Sequence, residues 1–130
     1  FALRKVARRY AKRFPECLGD APMLMPSPRS ALRRRLNDWF ESLDIVPNIV
    51  GEIDDSALLK AFGEAGLGLF AAPTVIETEV CRMYRTGVVG RVPSIREGFY
   101  AISSERRIKH PSVALITDKA RAELFVEPEE

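Results

Sequence analysis

Met23-Leu24-Met25-Pro26-Ser27-Pro28-Arg29-Ser30, followed by Leu32, Leu36, Trp39, Phe40 and Leu43 at helical spacing, decides the fold of this chain. The apolar run reads as a buried strand over residues 22–25, and the recurrence after it reads as a helix from Pro28 to about Leu43. Ser27 is the expected cap. Its hydroxyl can accept from a first-turn amide, and Pro28 suits the next position, where no amide hydrogen is needed. Leu69-Phe70-Ala71-Ala72-Pro73-Thr74 repeats this grammar, with Thr74 and Glu77 at the Thr-x-x-Glu spacing of a capping box. Two such junctions predict two helix N-termini opening at one sheet edge, the edge where open α/β sheets bind ligands.

Working outward, residues 2–13 read as a short amphipathic helix with Leu3, Val6, Ala7, Tyr10 and Phe14 on one face, ended by Pro15. Residues 47–53 read as the next strand, with Gly51 small enough for close approach. Asp54 or Asp55 then caps a helix carrying Leu58, Leu59 and Phe62, which runs out towards Gly63 and Gly66. Residues 67–72 are a third strand, apolar enough to be covered on both faces. A helix over residues 75–85 follows, stopped by Gly87. Residues 88–92 and 98–103 are two further strand candidates. His110-Pro111 starts a final helix through Val113, Ile116, Ala120 and Leu124, and the tail from Glu127 frays. Strands alternating with helices predict right-handed crossovers and a mainly parallel sheet with helices on both faces, an α/β fold of three αβα layers.

The 130 residues suffice for one domain with a real core. No apolar run approaches the length that spans a bilayer, so no membrane partner is expected. Cys17 and Cys81 stand far apart in sequence and form neither a zinc motif nor a redox motif, so a reducing, cytoplasmic setting is the simpler reading, with pairing in an oxidising one as the alternative. The chain starts at Phe1, which suggests a piece of something longer. Residues 1–35 carry +8 within a total of +2, leaving −6 for the remainder. A basic end of this kind attracts polyanions or serves as a solvated helix face, and the shortage of stacking aromatics favours the solvated face. The lone histidine, His110, has no partner histidine, Gly-x-Ser-x-Gly elbow or P-loop, so no catalytic constellation is present and no enzyme is expected.

Several tracts, in their order and spacing, carry a resemblance. They are Ala21-Pro22-Met23-Leu24-Met25-Pro26, Arg33-Arg34-Arg35-Leu36-Asn37-Asp38-Trp39-Phe40, Gly51-Glu52-Ile53-Asp54-Asp55-Ser56-Ala57-Leu58-Leu59-Lys60-Ala61-Phe62-Gly63, Ala72-Pro73-Thr74, and Glu105-Arg106-Arg107-Ile108-Lys109-His110-Pro111. Together they resemble the effector-binding region of LysR-type transcriptional regulators, and within them the NhaR-like activators that respond to sodium and control sodium/proton antiporter genes. The resemblance implies a regulator with an N-terminal winged helix-turn-helix for promoter DNA, a linker helix and a regulatory region of the type 2 periplasmic-binding-protein-like fold. Residues 1–130 would be its second regulatory subdomain with the hinge crossings and C-terminal helix, without the DNA module and most of the first subdomain. It further implies homo-oligomers that pair regulatory domains head to tail, with residues 56–64 and the preceding strand near the partner. No cofactor is implied.

Effectors in this family sit between the two subdomains against strand-to-helix loops, which carries the site onto Ser27, Arg29, Ser30, Pro73 and Thr74. A small-molecule or ion effector is expected there. Exposed amides, hydroxyls and a guanidinium at a helix start can hold an anion. Ser27 and Thr74 are equally accounted for as caps, whereas no cap requires Arg29. Glu52, Asp54 and Asp55 offer hard oxygens for sodium, but capping explains Asp54-Asp55-Ser56, so no metal site is assigned. A lobe of a solute-binding protein would share the architecture, and direct nucleic-acid binding through the basic end is a third reading.

Overall fold

The computed structural model describes residues 1–100, 102 and 111–124, the last helix without the side chains at 121, 123 and 124. Two compact units result, Phe1–Glu97 and Gly98–Glu130. The first contains β1 (Ala2–Leu3), α1 (Arg4–Tyr10), β2 (Pro22–Pro26), α2 (Ala31–Ser42), β3 (Asn48–Ile53), α3 (Ser56–Glu64), α4 (Glu77–Met83) and β4 (Thr86–Gly87). The described part of the second is built on α5 (Pro111–Leu124).

β2 and β3 pair in parallel, from Pro22 opposite Asn48 to Pro26 opposite Ile53. The third apolar segment joins them at a single parallel bridge, Met23 opposite Leu69, with backbone bonds of 2.7 Å from Leu24 N to Leu69 O and from Leu69 N to Pro22 O. Phe70 then donates to the carbonyl of Phe1 at 2.9 Å. β1 pairs antiparallel with β4. The chain is therefore α/β, with one parallel pair, extended by the parallel bridge at Leu69, and one short antiparallel pair.

Alternation along β2 sorts its side chains into two apolar clusters. Met23 and Met25 join Leu36 and Phe40 of α2, Ala7 of α1, Leu69 and Val89. Leu24 joins Leu59 of α3, Phe70 and Val80 of α4. Each fully buried side chain of this size contributes about 1.5–3 kcal/mol relative to exposure.

Several boundaries differ from the sequence reading. The helix expected over residues 2–13 yields Ala2 and Leu3 to the pairing with Thr86–Gly87, and its end tightens into a 3₁₀ turn at Ala11–Arg13. The strand expected at 88–92 is absent, because β4 lies just before it and Gly87 belongs to that strand instead of ending a helix. Residues 98–100 and 102 form no strand; residues 101 and 103–110, including His110, and the tail lie outside the described residues.

α2 and α3 end in the same way, with the two backbone bonds of a Schellman motif. In α3, Leu67 N reaches Phe62 O at 3.2 Å and Gly66 N reaches Gly63 O at 3.1 Å, with Gly66 at φ +79°. In α2, Ile45 N reaches Phe40 O and Asp44 N reaches Glu41 O, both at 3.0 Å, and the left-handed position falls to Asp44 at φ +55°. Glycine adopts that conformation without a Cβ penalty, and aspartate is one of the few other residues that do so routinely.

Candidate functional site

Parallel pairing gives the molecule a polarity. Because β2, β3 and the segment through Leu69 run the same way, all three chains leave at one edge. Residues 27–30 and Asp54 with Asp55 follow directly on β2 and β3, and Pro73 with Thr74 come four and five residues after the Leu69 bridge. The two loops that the sequence singled out thus follow segments that run in the same direction.

Residues 27–30 turn the chain before the helix begins. Ser30 N donates to Ser27 O at 3.0 Å, which places Pro28 where its fixed φ favours a turn. The helix start shifts to Ala31, and the cap is Ser30: with ψ at 138° it stays extended, and its Oγ accepts from Arg33 N at 3.3 Å. Ser27 as cap is thereby corrected, since the helix opens three residues later than expected and the Ser30 hydroxyl takes the first-turn amide. Arg29 projects from the turn and meets Asp54 at 3.4 Å, both side chains mostly in water. Such an exposed pair contributes about 0–1 kcal/mol and yields readily to a competing anion or cation.

Arg33 lies beneath the turn and was missed. Counted with the basic run Arg33-Arg34-Arg35 it reads as a solvated residue, yet its side chain is only 10% exposed. Its guanidinium donates to Pro26 O at 2.8 Å and Asn37 Oδ1 at 3.1 Å, and pairs with Glu52 at 2.7 Å. One cation therefore joins the last residue of β2, the end of β3 and the first turns of α2. The signal was available: Arg33, Leu36 and Phe40 share one helical stripe, and all three are buried.

The second loop is built differently. Thr74–Ile76 forms a 3₁₀ turn with Pro73 at its start and no side-chain cap, and the expected helix over 75–85 shortens to Glu77–Met83. The capping box is absent because Glu77, at the joint between turn and helix, points to Arg91 instead. Arg91 grips both carboxylate oxygens, Nη2 to Oε1 at 2.7 Å and Nε to Oε2 at 3.0 Å. That hydrogen bonding, and then the charge of Glu77, raises the guanidinium pKa further above its ordinary value. Thr74 itself stays exposed at the rim.

The carboxylates near the rim already have partners. Asp55 caps α3, accepting from Leu58 N at 2.7 Å as expected, while Asp54 faces Arg29 and Glu52 faces Arg33. Among the described residues no group of three or more His, Cys, Asp or Glu is placed to hold a metal. Cys17 is buried and Cys81 half-buried, both as free thiols, and burial pushes the Cys17 pKa up. Trp39 is partly buried and packs between Phe14 and Phe40 at ring separations of 6.0 and 5.3 Å, a core role.

Residues 5–124 match the LysR substrate binding domain. The chain belongs to that family. Its relatives include the transcriptional activator protein NhaR of Escherichia coli K12 and that of Shigella flexneri, each 40% identical over 114 residues, which is 88% of this chain. The chain spans 38% of the length of either relative. No solved structure matches it significantly. No described helix is long and apolar enough to cross a membrane.

Proposed function

We propose that this chain is the signal-receiving part of a LysR-type transcriptional activator, with residues 1–130 forming the second regulatory subdomain, the hinge crossings and the C-terminal helix. A small molecule or ion binds at Ser27, Arg29, Ser30, Pro73 and Thr74, and the regulator acts in the cytoplasm on promoter DNA through an N-terminal module. The observation that carries this reading is the parallel pairing that sends residues 27–30 and 73–74 out of one rim, in a chain matched to the LysR substrate binding domain over residues 5–124. The division after Glu97 supports a second subdomain followed by the crossing into the next. Apolar clusters on both sides of β2 support the type 2 periplasmic-binding-protein-like arrangement, three αβα layers about a mainly parallel sheet. Relatives that are transcriptional activators favour regulation over solute transport.

Arg29 is the residue through which an effector would be felt, because its bond to Asp54 is long, exposed and easily exchanged. An effector shifts the regulator only if it favours one closure state. Arg29→Ala in the full-length regulator therefore lowers the response to inducer while basal promoter binding persists; an undiminished response removes Arg29 from the site. Sodium is the first inducer to try, followed by lithium and small organic acids, scored by the rise in thermal stability that selective binding produces.

Pairing with a second copy is assigned to β3 and α3. β3 is bonded to β2 along one side, and Ile49, Val50, Leu58 and Phe62 keep 37–52% of their surface exposed. Sedimentation of the full-length regulator tests this, with a monomer at high concentration as the contrary result.

A further inference from the structure

We infer that Arg91 is a positioning residue for the proposed effector rim: its grip on Glu77 fixes the turn beneath Pro73 and Thr74 and ties that turn to the segment by which the chain leaves the first unit. The inference rests on the sensor reading above and names how that same site is regulated.

Apolar packing of Ala72 and Ile76 against Leu24, Leu59, Phe70 and Val80 seats the turn, but no side-chain hydrogen bond within it sets its direction. Thr74–Ile76 has no side-chain cap, α4 is seven residues long, and Ile76 at its cap position makes no side-chain bond. The backbone bond from Ile76 N to Pro73 O, at 3.2 Å, closes the turn on itself and ties it to nothing distant. Glu77 is the joint between turn and helix, 26% exposed at its side chain, and both its oxygens are used by one guanidinium fourteen residues away. A two-pronged pair of this kind fixes direction as well as distance, which a single ammonium contact does not.

Arg91 in turn stands in a segment placed by packing and not by strand pairing. Val89 is buried in the larger core cluster, Ile95 packs against the same cluster, and the backbone at Gly90 lies directly on the Phe14 ring. The first unit ends at Glu97, six residues beyond Arg91. Movement of the rim turn therefore pulls on the exit segment through one ion pair. Loss of the pair leaves both ends in place but uncoupled.

Hydrogen exchange tests the positioning role on the protein itself. In R91A the amides of residues 74–77 should exchange about three- to tenfold faster, while those of α2 keep their protection. R91K retains the charge without the fork and should fall between. The double variant E77R/R91E, which reverses the pair, should recover at least half of the lost protection. Unchanged exchange at residues 74–77 in R91A overturns the inference, as does an equal rise across α2, which would make the pair a general stabiliser. In the full-length regulator, sodium-dependent promoter activation should fall in R91A and recover in E77R/R91E. A wild-type regulator indifferent to sodium defeats sodium as the effector, and the exchange result still decides Arg91.

Discussion

The two loops on the rim are held by opposite means. Residues 27–30 rest on a buried guanidinium that reaches two strand ends and the helix they lead into, and a serine cap closes the helix. Residues 73–76 have neither support; a half-exposed pair to a distant segment stands in for both. Bonds made inside the fold resist water and persist when the surface changes, whereas a pair near solvent can be exchanged at small cost. The first loop thus depends on a buried tie and a cap, the second on apolar packing and one solvent-facing ion pair.

The largest test of that contrast is Arg33→Ala. It leaves Pro26 O and Asn37 without their donor and Glu52 without its cation, so stability should fall by about 2–3 kcal/mol, below the range for a fully buried broken pair because Glu52 is 43% exposed and regains water. Urea denaturation measures it; a loss below 1 kcal/mol would show that the first loop is no better anchored than the second. Next in size, Ser30→Ala should cost about 1 kcal/mol by removing the cap of α2. Thr74→Ala should stay within about 0.5 kcal/mol, since its side chain caps nothing. The reverse order would restore the capping box and undo the comparison. Smallest of all, Arg29→Ala should leave the melting temperature almost unmoved, so any loss of inducer response in that variant reports binding and not folding.

Much of this was legible in local pattern. Asp55 is one of the two residues the pattern offers as cap of α3, the apolar run marks β2 to within one residue, and Leu36 and Phe40, set at helical spacing, are buried. The errors share a cause. Ser27 and Ser30 both suit a cap, and the turn over residues 27–30, which delays the helix to Ala31, gives the role to Ser30. Thr74 and Glu77 have capping-box spacing, but the Arg91 fork takes both oxygens of Glu77. The expected helix over residues 2–13 lost its first two to a strand more than eighty positions away.

What the residues themselves determined is the alternation of strand and helix, the polarity of the strand-to-helix junctions and the apolar stripe of α2, because these follow from periodicity and from bonds within a few positions. Tertiary structure alone decided that Arg33 is a buried tie and that Glu77 answers to Arg91. A charged side chain goes to whichever partner the fold delivers, and that partner lies too far along the chain for any local pattern to mark it.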